Sequence, residues 1–128
     1  MVVLLDTHSF LWFVNGSSKL STETKKIIEN PANAKLLSMA SLWEIGIKIT
    51  IGKLSITQPF DQFIPHQLHI NGFEILEIKF EHLAKIIELP FHHRDPFDRL
   101  LIAQSLVEQI PIISVDSIFD AYAVKRLW

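Results

Sequence analysis

Four carboxylates carry the chemical interest of this 128-residue chain: Asp6, Glu44, Asp98 and Asp116. Asp6 directly follows the apolar run Val2 to Leu5, and Asp116 follows Ile112 to Val115. Glu44 comes soon after Lys35 to Met39, and Asp98 opens a long helical pattern. Four like charges brought together raise each other's pKa or drive the chain apart, so their convergence calls for a compensating cation. Oxygen-only ligands select a hard divalent ion, Mg²⁺ or Mn²⁺. Such an ion activates water and neutralises charge building on a phosphate. Helix capping is the competing explanation. Asp6 and Asp116 suit N-caps, Asp95 with Asp98 suits N-cap and N3, and Glu44 suits the back-bonding position of a Ser41-Leu42-Trp43-Glu44 box. Capping explains each residue singly but gives no reason for four of them to gather. On spacing alone the two readings stand level.

The elements that must position these side chains are legible as alternating patterns. Val2 to Leu5, Lys35 to Met39, Phe73 to Ile78 and Ile112 to Val115 are short runs of the kind that form strands buried on both faces. Helical patterns lie between them. One follows Ser21 and ends at about Asn30, before Pro31; one contains Phe60, Phe63, Ile64, Gln67 and Leu68; one contains Leu83, Ile86 and Ile87. The clearest runs from Asp95 to Gln109, with Asp95 as N-cap, Pro96 as first helical residue, and Leu100, Ala103, Leu106, Val107 and Ile110 as an apolar stripe. Strands alternating with helices predict a single α/β domain over residues 1–128, with three α/β/α layers around a central, mostly parallel sheet. In such sheets ligands bind beyond the carboxyl ends of the strands, which is where the four carboxylates fall.

Composition excludes several classes. The chain has no cysteine, so thiol nucleophiles, disulfides and thiolate zinc sites are absent. Its 12 Lys and Arg against 14 Asp and Glu leave a net charge of −2, which argues against a broad basic nucleic-acid surface; any such contact must be local. The opening Met1 to Asp6 lacks the basic region of a signal peptide, and no apolar run approaches the roughly 20 residues that span a bilayer. A cytoplasmic domain with no membrane association is expected. No Walker loop, GxGxxG turn, HExxH helix or GxSxG elbow occurs.

Four segments in order along nearly the whole chain carry a family resemblance: LLDTH (Leu4 to His8), SLWEIGIKITIGKL (Ser41 to Leu54), HHRDPFDRLLIAQS (His92 to Ser105) and IISVD (Ile112 to Asp116). In these the chain resembles the PIN-domain superfamily and, within it, VapC-like toxins. The resemblance implies a PIN fold and a Mg²⁺- or Mn²⁺-dependent endoribonuclease, with a cognate antitoxin protein and a homodimer as partners. It also implies that Asp6, Glu44, Asp98 and Asp116 are the four acidic positions, holding metal and serving catalysis. Thr7 follows the first of these as in the family, and Ser114 falls where the family has a small hydroxyl residue near the site.

Further residues are candidates for substrate contact. Lys48 lies four after Glu44, which suits an ion pair or a phosphate contact beside the metal. His92, His93 and Arg94 suit stacking and charge contacts to single-stranded RNA, or a solvated loop. Arg99, beside Asp98, suits a carboxylate or a phosphate partner. His66 and His69 are half of a zinc site without a third ligand, and read as ordinary histidines. A mean hydropathy of +0.26 suggests apolar surface reserved for partners. The alternatives from other classes are a non-catalytic PIN-like or receiver-like regulatory module and a DNA-directed nuclease. The receiver pattern requires adjacent acids after the first strand, where this chain has Asp6-Thr7-His8.

Overall fold

β1 (Val2–Leu5) has no polar side chain and occupies the middle of the sheet. The computed structural model, which describes residues 1–128, pairs it in parallel with β2 (Ala34–Ser38) on one side and β4 (Ile112–Ile113) on the other. β3 (Phe73–Leu76) and β5 (Arg126–Leu127) complete a five-stranded, wholly parallel sheet in the order β3-β2-β1-β4-β5. The chain builds outward from β1 in one direction and then crosses to the other side of it. The reversal falls between β1 and β4.

Side-chain alternation along the strands divides the core into two layers. Val3, Leu5, Leu37, Phe73 and Ile113 face α1 (Thr7–Val14), α2 (Thr22–Glu29), α3 (Met39–Thr50) and α4 (Phe60–Asn71), which contribute Phe10, Ile28, Ile45 and Ile64 among others. Leu4, Leu76 and Ile112 face α6 (Pro96–Glu108) and a 3₁₀ helix (Ser117–Ala121) through Leu101, Ile102 and Phe119. α5 (Phe80–Glu88) packs along α6. This is the α/β/α sandwich that the element pattern predicts. No helix is long and apolar enough to cross a membrane.

Local signals set most boundaries. Ser21 Oγ accepts from Thr24 N–H at 3.1 Å and starts α2. Asp95 Oδ1 accepts from the Phe97 and Asp98 N–H groups and starts α6, with Pro96 in the first turn where its missing donor costs nothing. Gln109 ends α6 in the left-handed region, φ 56°.

Several expectations are corrected. The Ser41–Glu44 capping box does not form, because Ser38 caps α3 instead, its Oγ accepting from Ala40 N–H at 3.0 Å. β2 therefore ends one residue earlier than expected, Ser41 is buried in the first turn, and Glu44 lies in the second. β3 stops at Leu76 and is an edge strand with Glu74 and Ile75 exposed, not one covered on both faces. β4 is only two residues long, although Ser114 N–H still donates to Leu127 O at 3.2 Å. β5 has too short a run to announce itself.

Of the expected apolar stripe of α5, only Ile86 is partly covered. Ile87 is 85% exposed and Leu83 and Phe80 are exposed, while His82 is fully buried. His82 Nδ1 accepts from Lys79 N–H at 3.0 Å and Nε2 lies 3.0 Å from Glu108 Oε2, so a polar connection and not the aliphatic stripe orients this helix.

Candidate metal centre

The reversal of strand order leaves a crevice beyond the ends of β1 and β4, and the chain enters it from both strands. Asp6 leaves β1 in extended conformation, and its N–H donates to Ile113 O at 3.0 Å, which ties it to β4. Its Oδ1 caps α1 by accepting from Ser9 N–H at 2.9 Å; the carboxylate keeps a second oxygen for another partner. Across the crevice, Asp116 Oδ1 caps the 3₁₀ helix by accepting from Ile118 N–H at 3.0 Å. Its own N–H donates to Ser114 Oγ at 3.0 Å. Both aspartates are thus N-caps, and capping uses only part of each.

Asp98 enters from the first turn of α6. Its carboxyl is pushed up to about 8, first by burial and then by the charges of Asp95, Asp6, Glu44 and Asp116. Burial is the larger cause, and the charges of carboxylates from separate stretches of the chain act in the same direction. Asp98 Oδ2 lies 3.2 Å from His93 Nε2. Donor atoms of His93, Asp98 and Asp116 all lie within 4.8 Å of one another.

Glu44 is buried on the facing side of α3. Thr7 Oγ donates to its Oε1 at 2.7 Å, and Lys48 Nζ, one turn further along the helix, lies 3.0 Å from its Oε2. Ser41 Oγ, 3.0 Å from the Thr7 hydroxyl, extends this chain of contacts. Lys48 takes the ion-pair role, and one ammonium does not balance five neighbouring acids. The donor set is mostly hard carboxylate oxygen in net negative surroundings, which fits a divalent cation.

Other sequence candidates divide. Arg94 lines a groove of about 410 Å³ together with Glu44, Lys48, Lys53 and Phe97, so cations border the acidic cluster on one side. Trp43 stands 64% exposed, with its ring edge-on to Phe97 at 5.4 Å. His93 is not on a solvated loop: it is held against Phe119 and Tyr122. His66 and His69 are exposed surface residues.

Three candidates for substrate contact are corrected. Arg99 is buried, and its guanidinium donates to Pro90 O at 3.0 Å, Ile86 O at 3.1 Å and Leu89 O at 3.4 Å. It closes the carboxyl end of α5 and stacks on Phe91 at 4.5 Å, taking neither the carboxylate nor the phosphate partner expected. Ser114 is fully buried and holds the Asp116 backbone, so its hydroxyl has no route to a substrate. Thr7 is likewise buried and committed to Glu44.

Sequence reasoning missed the place of His93 in the cluster. No periodicity marks a residue that reaches Asp98 by a loop turning back over Phe119.

With this geometry in view, similarities to known proteins are informative. The family model for the PIN domain matches residues 3–125. Ribonuclease VapC16 of Mycobacterium tuberculosis is 36% identical over 62 residues, 48% of this chain and 44% of that relative. The match thus spans less than half of the curated relative's length. Among solved structures, VapBC2 from Rickettsia felis, bound to a DNA fragment from its promoter, aligns with a TM-score of 0.72 at 14% identity, over 99% of this chain and 98% of that one. DNA-bound VapBC from Salmonella typhimurium gives 0.71 at 12%, over 99% and 97%. A toxin-antitoxin complex from Klebsiella pneumoniae gives 0.65 at 16%, over 98% and 96%. At these identities the structural likeness establishes a shared fold.

Proposed function

The chain belongs to the PIN-domain family, and from that premise we propose that it is a divalent-cation-dependent endoribonuclease acting as the toxin of a toxin-antitoxin pair. It hydrolyses RNA phosphodiester bonds in the cytoplasm, with Mg²⁺ or Mn²⁺ as cofactor, and its partners are a cognate antitoxin protein and a second copy of itself. The observation that carries this reading is the cluster in which donor atoms of Asp98, Asp116 and His93 lie within 4.8 Å of one another, with Asp6 and Glu44 near enough for their charges to act on Asp98. The curated ribonuclease relative supports the activity, and the Klebsiella complex supports a protein partner. The exposed stripe of Phe80, Leu83, Ile87 and Phe91 supplies apolar surface for one or both protein contacts.

Asp6, Asp98 and Asp116 would hold the cation, Asp6 and Asp116 through the oxygen that each capping contact leaves available and Asp98 through the carboxyl it turns toward His93. When bound, the cation polarises a phosphoryl oxygen and lowers the pKa of water. Glu44 orients the attacking water and takes its proton. Thr7 and Lys48 restrict the Glu44 rotamer, so that the carboxylate meets the water in one orientation. Lys53 and Arg94 guide the phosphate backbone along the groove, and exposed Trp43 offers a stacking surface to an unpaired base.

Purified protein incubated with labelled single-stranded RNA and Mg²⁺ or Mn²⁺ tests the reading. Cleavage is expected to stop in EDTA and to fall by about a hundredfold or more in Asp6→Asn and Asp98→Asn. Undiminished cleavage in either variant refutes it. A single-stranded DNA of matching sequence, cut faster than the RNA, identifies a DNA-directed nuclease instead.

A further inference from the structure

His93 has no task in the reaction above, yet its side chain is only 7% exposed. The imidazole lies against Phe119 at 5.4 Å between ring centroids and Tyr122 at 6.0 Å. Its Nδ1 is buried without a hydrogen-bond partner. Buried polar atoms are normally satisfied, so an imidazole with one orphaned nitrogen is held there for what the other nitrogen does. That nitrogen, Nε2, is directed at Asp98 Oδ2, 3.2 Å away.

We propose that His93 Nε2 is a nitrogen ligand of the cation held by Asp98 and Asp116, so that the centre prefers a first-row transition cation of the Mn²⁺ type over Mg²⁺. The proposal rests on the metal-dependent reading and adds a donor of a different class to it. The distances suit shared coordination. Donors on adjacent vertices of an octahedron with bonds of about 2.1 Å lie about 3 Å apart, and opposite donors about 4.2 Å. The 3.2 Å between His93 and Asp98 matches an adjacent pair, and the 4.8 Å limit for the trio with Asp116 leaves little closure to be made.

The local chain accounts for how a histidine five residues before Asp98 reaches it. Asp95 accepts from both the Phe97 and Asp98 N–H groups, which turns the loop sharply at the mouth of α6. The aromatic wall from the 3₁₀ helix then holds the imidazole in place. The selectivity follows from donor softness: imidazole nitrogen suits first-row transition ions, whereas Mg²⁺ favours carboxylate and water oxygen.

Pulsed electron paramagnetic resonance of Mn²⁺ bound to the full chain tests the proposal without recourse to activity. Wild-type protein is expected to show ¹⁴N modulation of the Mn²⁺ signal. The modulation should vanish in His93→Phe, which keeps a ring against Phe119, and in His93→Gln. Both variants should retain Mn²⁺ through the carboxylates, with its affinity lower by about tenfold or more and Mg²⁺ affinity affected less. Mn²⁺ bound with no nitrogen coupling in the wild type, or coupling that survives in the variants, overturns the histidine ligand and leaves the carboxylate site standing. Failure of the wild type to bind Mn²⁺ or Mg²⁺ at all overturns the metal-dependent reading itself, and the histidine ligand with it.

Discussion

Thr7 and Glu44, 37 residues apart in the chain, are joined by a hydroxyl-to-carboxylate hydrogen bond of 2.7 Å. The contact fastens the first turn of α1 to the second turn of α3, on the two sides of the crevice floor. Thr7 has one hydroxyl hydrogen, and Glu44 can only accept, so the bond has a single direction. Lys48 engages the other oxygen of Glu44 at 3.0 Å.

Thr7→Val is therefore expected to destabilise the fold by about 2 kcal/mol, by leaving a buried carboxylate short of a donor. In the proposed reaction it lowers cleavage by about tenfold, because Glu44 gains rotamer freedom. Thr7→Ser keeps the donor and should keep most of both. Urea denaturation and RNA cleavage of the three proteins check this, and equal loss in Thr7→Ser would show that the methyl group matters instead of the hydroxyl.

Asp98 makes the metal-free protein sensitive to pH. Folded, it keeps its proton up to about pH 8; unfolded, it releases it near the ordinary 3.8. The folded state binds the extra proton between those values, so stability falls as pH rises through that window. Thermal melts in EDTA should show the difference between wild type and Asp98→Asn narrowing at pH 5 and widening in the variant's favour at pH 8. Glu108 and Asp120, whose pKa values are lowered, act in the opposite sense and only at acid pH. A difference between the two proteins that is independent of pH would remove this explanation.

Arg99 is expected to be a stability residue. Arg99→Ala removes the guanidinium donor from the carbonyls of Ile86, Leu89 and Pro90, of which Ile86 O keeps the Leu89 N–H, and should cost about 3 kcal/mol. Lysine cannot replace the planar fork, so Arg99→Lys recovers little. The folded fraction should bind Mn²⁺ as the wild type does, measured by calorimetry below the melting transition. A selective loss of metal affinity at wild-type stability would contradict this assignment.

The groove cations act on substrate binding. Lys53→Ala and Arg94→Ala should raise KM for RNA with kcat nearly unchanged. Each should also reduce the slope of log affinity against log salt by about 0.7, the value for one contact to a single-stranded phosphate. Fluorescence anisotropy across a salt series reads this directly, and an unaltered slope in both variants would place the RNA path elsewhere.

Much of this architecture is legible in the sequence because its causes are local. Ser21 and Asp95 start helices by hydrogen bonds to N–H groups within three residues, and the apolar run of β1 identifies a central strand at once. The same locality misleads where two caps compete. Ser41 has the box spacing, but Ser38 is the residue that leaves β2 in extended conformation, so Ser38 takes the cap. The exposed stripe of α5 shows a further limit: periodicity predicts a helix, whereas burial of His82 against Glu108 decides which side turns inward.

What the sequence by itself determined is the alternation of β1 to β4 with most of the helices and the position of Asp6, Asp98 and Asp116 at a strand end or helix start, since these follow from near-neighbour sterics and hydrogen bonding. Only the tertiary structure decided which acids share a field, that Glu44 belongs to Thr7 and Lys48, that His93 faces Asp98, and that Arg99 belongs to α5 and not to the site. Coulombic interaction and donor matching depend on distance in space, and that distance is set only when the chain reverses direction between β1 and β4.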